Sequence, residues 1–328
     1  MKIALIEVGH WHASMYVERL KSCGATVVAV SDRDEAVVSK VSQALGCRAY
    51  TDYSKLVSQQ RPDFVFAFGI HSEMPDIVRL LIENEVPFAI EKPAGIDHRR
   101  IEELADLAER KGLFNAVPFV FRLHPMVQVL QSLRQQGKIG DFTHVCLRYI
   151  AGPPDRYRAW GCEWMLQREK SGGGCTMNLG IHFIDLFSYM TGSRIRRVYG
   201  RMSTLLHGEE VEDCSTIVLD SEDGTIGVVE TAYAHPTTQQ YYAFITTEGY
   251  AVVHGDIMEY VSKKGEREQI KIEQRNLYAD FVDHTLDRFN RDERPLATLH
   301  DVSAALRVVG LSYRSNHHRR PYEVAVGT

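Results

Sequence analysis

The first 120 or so residues alternate short apolar runs with segments of helical spacing, and this alternation limits the possible folds most strongly. The apolar run Ile3–Val8 precedes a helical segment at Ala13–Cys23, and Thr26–Ser31 precedes another at Glu35–Leu45. The alternation continues to a last apolar run at Asn115–Val120. Strands and helices in this order predict a parallel, doubly wound sheet with right-handed crossovers. The first part of the chain is therefore predicted to be an α/β domain.

The chain changes character after this domain, because β-type segments then follow one another. They are Thr143–Ile150, Arg194–Thr204, Cys214–Asp220, Thr225–Tyr233, Tyr241–Glu248 and Tyr250–His254. Helical spacing is set apart from them, at His124–Gln136, His182–Met190, Leu277–Asn290 and Leu299–Ser315. This order predicts an α+β domain built on a mostly antiparallel, open sheet. We therefore expect one domain at residues 1–121 and a second at 122–328.

Composition narrows the class of protein. A net charge of −5, from 38 basic and 43 acidic residues, leaves no polybasic footprint for nucleic acid or an anionic membrane. No apolar run approaches the roughly 18 residues of a membrane span, and no signal peptide is apparent at the start. The six cysteines lack a Cys-x-x-Cys spacing, so reduced thiols are expected. A cytoplasmic protein of enzyme size is predicted.

The tripeptide Glu91-Lys92-Pro93 follows the apolar run Val86–Ile90. Open α/β sheets bind ligands outside the carboxyl ends of their strands, so these charged side chains are expected at a ligand site. A proline there ends ladder hydrogen bonding and fixes the local backbone around Lys92. Two alternatives remain at this point: a surface lysine after a strand, or a Glu-Lys pair that caps the next helix.

The turn after the first strand is where a Gly-x-Gly-x-x-Gly fingerprint would lie. Only the middle glycine, Gly9, is present, since Glu7 and His12 occupy the outer positions. A pyrophosphate could still use amide donors and the positive helix end at Trp11–Ser14, with His10 beside them. Glu7 would repel phosphates unless its side chain points away. A metal site at His10 and His12 is disfavoured, because no further ligand lies nearby in sequence.

A carboxylate ends the second strand, about 20 residues after this turn. Asp32 at that place is expected to accept hydrogen bonds from both ribose hydroxyls of NAD and to repel a 2′-phosphate, which favours NAD over NADP. Arg33 keeps NADP open, because a guanidinium can pair with that phosphate. The alternative for Asp32 is a helix N-cap, since Asp34 and a helical segment follow.

Taken together, these segments resemble the glucose–fructose oxidoreductase / inositol dehydrogenase / rhizopine catabolism (Gfo/Idh/MocA) family of NAD(P)-dependent oxidoreductases over nearly the full length. The motifs that carry the resemblance are Ser31–Asp34, Tyr50–Tyr53, Glu91–Pro93, Arg122–Pro125, Gly137–Asp141 and Gly172 to His182. The resemblance implies a Rossmann domain and an α+β domain whose open sheet often serves as an oligomer interface. It also implies that the Lys-Pro motif lies beside the nicotinamide, and Glu91 and His71 are expected among the cofactor contacts.

The sequence departs from the family pattern at three places. The glycine fingerprint has lost two glycines, the loop Phe68–His71 is shorter than the usual version, and Asn178 stands where aspartate is usual. A carboxylate there would raise the basicity of its neighbours, whereas an amide only hydrogen-bonds. Asn178 is therefore expected to orient substrate.

Asn178, His182 and Asp185 are spaced i, i+4, i+7, which places them on one helix face if Asn178 lies in the first turn. A histidine with an ordinary pKa near 6.5 suits proton transfer near neutral pH. We hypothesise that His182 is the general acid/base and that Lys92 polarises the reacting oxygen and shares the proton relay. A core role for His182 stays open, as does the choice for Asp185 between orienting His182 and stabilising the helix start. Glycines at 172–174 are expected to let the backbone approach a ligand or flex on its arrival.

Two further candidates for substrate contact are Trp160 and Arg122. Trp160 lies in a connection rich in aromatic and charged residues, which suits stacking on a sugar face but equally suits ordinary packing. Arg122 follows the last strand of the first domain and either lines the substrate site or holds the domains together.

The function expected is an NAD-dependent dehydrogenase of a sugar, inositol or similar polyol, with NADP possible, acting as a homo-oligomer (dimer or tetramer). Two alternatives stay open. One is a non-catalytic NAD(P)-binding sensor or partner subunit. The other is an enzyme that oxidises and re-reduces its substrate on bound NAD, such as an epimerase or a redox-assisted lyase.

Overall fold

The computed structural model describes residues 1–234 and 236–324. Its first sheet has six parallel strands in the order β3-β2-β1-β4-β5-β6. These strands are β1 (Ile3–Ile6), β2 (Val27–Ser31), β3 (Arg48–Tyr50), β4 (Phe64–Ala67), β5 (Phe88–Ile90) and β6 (Asn115–Ala116). The order is that of a doubly wound dinucleotide-binding fold, with the topological switch between β1 and β4. This confirms the Rossmann prediction.

The helices that follow these strands start where the sequence supplies caps. They are α1 (Ala13–Ser22), α2 (Glu35–Leu45), α3 (Tyr53–Gln60), α4 (Met74–Glu83) and α5 (His98–Arg110). Asp34, Asp52 and Asp97 accept backbone N–H groups at the starts of α2, α3 and α5. Every residue of β1, β4 and β5 is buried, as expected for the interior of a parallel sheet covered on both faces.

The second sheet has nine strands in the order β14-β13-β12-β11-β7-β10-β9-β8-β15. Its strands are β7 (Phe142–Ile150), β8 (Ile195–Ser203), β9 (Cys214–Ser221), β10 (Ile226–Ala232), β11 (Gln239–Thr246), β12 (Gly249–His254), β13 (Ile257–Ser262), β14 (Arg267–Lys271) and β15 (Tyr322–Glu323). Among the described residues of this sheet, β7 and β10 are the one pair of neighbours that run parallel. Buried and more exposed residues alternate along β9, so one face packs on the core. The predicted open, mostly antiparallel sheet is confirmed.

The remaining helices are α6 (Pro125–Gln135), α7 (Asp155–Ala159), α8 (Arg168–Ser171), α9 (Ile181–Thr191), α10 (Leu277–Asn290) and α11 (Leu299–His318). Short 3₁₀ turns lie at Val120–Leu123 and Glu163–Leu166, and a π-helical turn at Thr176–Gly180 precedes α9. No helix in the described part of the chain is long and apolar enough to cross a membrane.

The structure corrects one predicted strand and adds three. The strand predicted at Asn115–Val120 is only two residues long, because Pro118 has no N–H to continue the ladder and Val120 begins a 3₁₀ turn. Strands β13, β14 and β15 were not predicted. β14 consists mostly of exposed polar residues, so it lacks the apolar alternation by which a strand is recognised.

The chain forms two compact units. The first unit comprises Met1–Phe119, Tyr157–Gly172 and Tyr278–Ala304. The second unit comprises, of the described residues, Val120–Arg156, Gly173–Leu277 and 305–324. The predicted division into continuous domains at 1–121 and 122–328 stays a prediction.

Candidate active site

Lys92 lies two residues beyond the buried strand β5, at the carboxyl end of the first sheet. Its side chain is only 2% exposed. Burial lowers the pKa of Lys92 to about 8, and the nearby Glu91 carboxylate opposes that shift. Lys92 is therefore not a surface lysine. It does not cap the following helix either, because Asp97 is the N-cap of α5. An amine of this kind exchanges its proton close to neutral pH.

Glu91 is buried beside Lys92 and is held by three groups. The Tyr16 hydroxyl donates to Glu91 Oε2 at 3.1 Å, and the Lys92 backbone N–H donates to Oε1 at 3.1 Å. His12 Nδ1 lies 3.3 Å from Oε2. Burial raises the pKa of Glu91, while Lys92 and His10 lower it. Glu91 thus connects the end of β5 to helix α1 through Tyr16. Its predicted contact with the cofactor stays a prediction.

The turn after β1, residues Glu7–His12, is here called the glycine loop, and the Asp32 carboxylate is bonded to it. The Gly9 N–H donates to Asp32 Oδ2 at 2.6 Å, and the Asp34 N–H donates to Oδ1 at 2.9 Å. A Cβ on Gly9 would lie 2.8 Å from Asp32 Oδ2, so the close approach requires glycine. The cap of α2 is Asp34, which excludes the capping alternative for Asp32.

His10, Trp11 and His12 form an aromatic cluster on the glycine loop. The His10 and Trp11 rings stack at 3.8 Å between centroids, and the Tyr278 hydroxyl lies 3.1 Å from His12 Nδ1. The His12 N–H donates to His10 Nδ1 at 3.2 Å, so a neutral His10 carries its proton on Nε2. Burial lowers the pKa of both histidines well below the usual range. These rings are therefore neutral.

His71 follows β4 and is completely buried. Its Nδ1 lies 2.9 Å from the Ser171 carbonyl oxygen, which only accepts, so Nδ1 carries the proton and Nε2 is an acceptor. Burial lowers the pKa of His71 to about 3. The Trp164 ring packs edge-on against His71, with centroids 4.8 Å apart, and also lies 5.9 Å from His10. Trp164 thus borders two predicted cofactor contacts.

This arrangement fits a dinucleotide. Within the described residues, the buried Nε2 atoms of His10 and His71 have no hydrogen-bond partner in the protein, although one is a donor and the other an acceptor. A buried polar atom without a partner is costly unless a ligand or water satisfies it. Gly9 lets the glycine loop lie against the Asp32 carboxylate, and Asp32 stands at the end of β2. A turn after β1, a carboxylate after β2 and two buried polar atoms without partners thus lie in the first unit, and their contacts with NAD stay a prediction.

The second unit presents Asn178 on the π-helical turn rather than within α9. Asn178 is 3% exposed, and its Nδ2 donates to the Tyr233 hydroxyl at 3.1 Å. Regular α-helical geometry begins only at Ile181, the start of α9. The i, i+4 spacing that predicted a common face for Asn178 and His182 therefore does not apply to Asn178. Tyr233 was not singled out from the sequence. Its position in a predicted strand gave no signal that its hydroxyl would meet Asn178.

His182 occupies the first turn of α9 and is 5% exposed. Its ring packs edge-on against Phe121, with centroids 5.4 Å apart. Phe121 belongs to the 3₁₀ turn Val120–Leu123, so the same short turn that carries Arg122 also packs against the His182 imidazole. The proton-transfer role of His182 stays a prediction.

Arg122 and Asp185 form a buried ion pair within the second unit. Arg122 Nε donates to Asp185 Oδ2 at 2.8 Å and its terminal nitrogen to Oδ1 at 2.5 Å, while their side chains are 8% and 4% exposed. Asp185 lies beyond the first turn of α9, so the helix-start alternative for it does not apply. The guanidinium also lies 4.7 Å above the Tyr189 ring. Both residues were predicted to bind substrate; their contact with each other is a bidentate pair that anchors the 3₁₀ turn to α9.

The glycines before the π-helical turn serve packing. A Cβ on Gly173 would lie 1.9 Å from the Tyr313 hydroxyl oxygen, and a Cβ on Gly174 would lie 1.9 Å from the Glu212 carbonyl oxygen. The buried Glu212 side chain accepts from the Thr176 N–H at 3.0 Å and from the Tyr313 hydroxyl at 2.8 Å. Close approach of the protein's own groups thus requires Gly173 and Gly174, and the expected approach to a ligand stays a prediction.

Trp160 is half exposed, in the first unit. Its ring packs edge-on against Tyr157, with centroids 6.0 Å apart, and Tyr157 in turn packs against Trp11. The predicted substrate contact of Trp160 stays a prediction.

Comparison with known proteins agrees with this geometry. Residues 1–119 match the model of an oxidoreductase family with an NAD-binding Rossmann fold, and residues 127–252 match a GFO/IDH/MocA C-terminal domain. The chain is 25% identical over 243 residues to the myo-inositol dehydrogenase Hyg17 of Streptomyces leeuwenhoekii, covering 72% of this chain and 71% of that protein. It is 31% identical over 170 residues to a putative UDP-kanosamine synthase oxidoreductase subunit of Amycolatopsis mediterranei, covering 51% of this chain and 44% of that relative.

Solved structures share the fold over almost the whole chain. The crystal structure of an oxidoreductase from Agrobacterium radiobacter in complex with NAD⁺, L-tartaric acid and magnesium superposes with a TM-score of 0.88 at 20% identity, covering 99% of this chain and 98% of that one. At this level of identity the likeness concerns the fold. Since both family models match and together span most of the sequence, the chain belongs to the GFO/IDH/MocA family and is an NAD-binding oxidoreductase.

Proposed function

We propose that this protein transfers a hydride between NAD and a secondary alcohol carbon of a sugar, an inositol or a related polyol. The observation that carries the proposal is Lys92, a buried amine with a pKa of about 8 at the carboxyl end of an NAD-binding sheet. The relative named a myo-inositol dehydrogenase supports the substrate class. The amide at Asn178 does not oppose the proposal, because Lys92 can exchange the proton of the alcohol without a carboxylate at position 178.

In this proposal Lys92 acts on the oxygen of the reacting alcohol. Bound NAD supplies the hydride acceptor. As an ammonium, Lys92 donates a hydrogen bond that polarises the carbonyl in reduction; as a neutral amine, it accepts the hydroxyl proton in oxidation. Its ordinary pKa of about 10.4 would leave too little neutral amine at pH 7. Burial lowers the pKa of Lys92 to about 8, and the Glu91 carboxylate opposes a further decrease.

His182 is proposed as the second group that transfers this proton, with Asn178 as an orienting amide. The edge-on contact of the His182 ring with Phe121 supports a positioned imidazole, as acid/base catalysis by a side chain needs. Trp160 and the Arg122–Asp185 pair are proposed to contribute to substrate contact. Replacing His182 with Asn should lower kcat by about 10²-fold or more, on the scale of losing a positioned acid/base.

The direct test is a titration of the full chain with NADH by fluorescence, followed by an absorbance screen for NADH formation on a panel of sugars, inositols and small polyols. We expect NADH binding and turnover on one class of cyclic or linear polyol. Tight NADH binding with no turnover on the panel would favour a sensor or partner subunit. Product without net NADH would favour transient use of the cofactor.

We further propose that the protein is a homo-oligomer, a dimer or a tetramer, located in the cytoplasm. Support comes from large apolar side chains that are exposed on strands of the second sheet, namely Val218, Ile226, Tyr241, Ile245, Tyr250 and Ile257. Apolar side chains in such number on one sheet mark a surface for another chain. All six cysteines are free thiols, as a reducing compartment requires. Light scattering after size-exclusion chromatography and cell fractionation test the two statements.

A further inference from the structure

Arg33, next to the ribose-side carboxylate Asp32, is held by two acidic side chains of the first unit. Its Nε donates to Glu7 Oε2 at 3.2 Å, and its two terminal nitrogens donate to the Glu73 carboxylate. A guanidinium after the second strand is otherwise free to pair with the 2′-phosphate of NADP. Here each of the three guanidinium nitrogens already donates to a carboxylate, although the Arg33 side chain is 54% exposed.

Glu7 is built into the glycine loop at the cost of backbone strain. Its φ is +57°, a left-handed value that suits glycine, and the residue is 7% exposed. Burial raises the pKa of Glu7, and the Asp32 carboxylate raises it further, whereas Arg33 lowers it. A carboxylate kept at a strained position and buried near another carboxylate is stabilised by its arginine partner.

The surroundings of Arg33 are acidic. A cleft of about 570 Å³ in the first unit is lined by both Glu7 and Arg33. Its charged lining residues are Glu7, Asp52, Asp76 and Glu83 against Arg33 and Arg79. Acidic groups therefore outnumber basic ones in the space beside the end of β2, and an added phosphate would meet repulsion there.

We infer that Glu7 and Glu73 are specificity-determining residues that sequester the Arg33 guanidinium, so that the site takes a dinucleotide with a free 2′-hydroxyl and rejects one with a 2′-phosphate. The inference deepens the proposed function and rests on its NAD site. It also assigns a use to the glutamate that replaces the first glycine of the fingerprint. Arg33, which from sequence kept NADP open, then serves as the partner of two carboxylates.

The experiment measures the Kd of NADH and of NADPH for the full chain by fluorescence titration. The variants are Glu73→Gln, Glu7→Gln, both together, and Arg33→Ala alone or added to the double variant. Glu103→Gln, an exposed glutamate on α5, is the matched control for the change in net charge. The Glu73 side chain is 42% exposed and that of Glu7 only 9%, so Glu73→Gln is less able to disturb folding than Glu7→Gln.

We expect Glu73→Gln to tighten NADPH binding by about tenfold and the double variant by about 30- to 100-fold, on the scale of a charge-assisted hydrogen bond gained by the phosphate. The NADH Kd should stay within about threefold. Arg33→Ala added to the double variant should cancel this gain in NADPH affinity. Arg33→Ala alone should leave the NADPH Kd within about threefold of the wild-type value. Glu103→Gln should change neither Kd.

Three results would overturn the inference: an unchanged NADPH Kd in the double variant, equal tightening of both dinucleotides, or a tenfold loss of NADPH affinity from Arg33→Ala alone. None of them affects NADH binding by the wild-type chain or turnover on polyols. Failure of the polyol screen, in turn, leaves the ratio of the two Kd values intact. The two proposals are thus tested separately.

Discussion

Each unit of the molecule buries charged groups, but the two units compensate the charge differently. In the first unit, burial of Lys92 outweighs the attraction of Glu91, and the pKa of the amine falls to about 8. In the second unit, Arg122 and Asp185 meet through two hydrogen bonds in a bidentate pair. A charge that is compensated in part exchanges its proton near neutral pH, whereas a charge that is paired through two bonds fixes geometry. Burial alone therefore does not identify a catalytic group.

The largest effect is expected where the pair is broken. Asp185→Ala leaves the Arg122 guanidinium buried without its carboxylate, so the free energy of unfolding should fall by about 3–5 kcal/mol in urea denaturation. The control is Asp287→Ala, which removes an exposed pair with Arg291 and should cost less than about 1 kcal/mol. Equal small losses would show that the buried pair does not fix the structure. Replacing both partners, by Arg122→Met with Asp185→Leu, should restore most of the lost stability.

Removal of the partly compensated charge should instead affect turnover. Lys92→Ala should lower kcat by about 10²-fold or more, because positioned acid/base help is lost, while the NADH Kd is kept. Lys40→Ala, an exposed lysine of the same unit, is the matched control and should leave kcat unchanged. Unchanged turnover in Lys92→Ala would contradict the role given to Lys92.

The pH dependence should report the same amine. In alcohol oxidation the neutral form of Lys92 accepts the proton, so kcat/KM should rise about tenfold per pH unit below pH 8 and level off above it. The reduction direction should show the opposite slope above pH 8, because it needs the ammonium form. Initial rates between about pH 6 and pH 10 measure both. Lys92→Arg should remove the inflection; a variant that keeps it would assign the titration to another group.

The smallest expected effect separates two neighbouring aspartates of the first unit. Asp34 caps α2, so Asp34→Ala should lower the free energy of unfolding by about 1 kcal/mol with the NADH Kd unchanged. Asp32→Asn should instead raise the NADH Kd by about tenfold, because a charged acceptor for the ribose hydroxyls is lost. Thermal unfolding and fluorescence titration read the two outcomes. A loss of NADH affinity in Asp34→Ala of similar size would remove the distinction.

Much of the fold could be read from the sequence because its signals are local. The helix Glu35–Leu45 was predicted at its observed bounds. In the structure Asp34 caps its start, and Gly46 follows its end in the left-handed conformation. β14 was not predicted, because an edge strand with exposed charged residues carries no apolar alternation. The π-helical turn at Thr176–Gly180 was not predicted either, and the N–H of Thr176 donates to Glu212, a partner far along the chain.

For the site, the sequence by itself determined which chemical groups are present and on which elements they lie: Lys92 after a buried strand, Asp32 after another, and His182 on a helix. Strand periodicity, turn residues and motif spacing are patterns within short stretches of sequence, so a single sequence is enough to recognise them. Only the tertiary structure decided the protonation behaviour and the ion-pair partner of each group. The pKa of Lys92, the pairing of Arg122 with Asp185 and the capture of Arg33 by Glu7 and Glu73 depend on burial and on partners distant in sequence. Desolvation and Coulomb interactions act through space, and packing alone sets those distances.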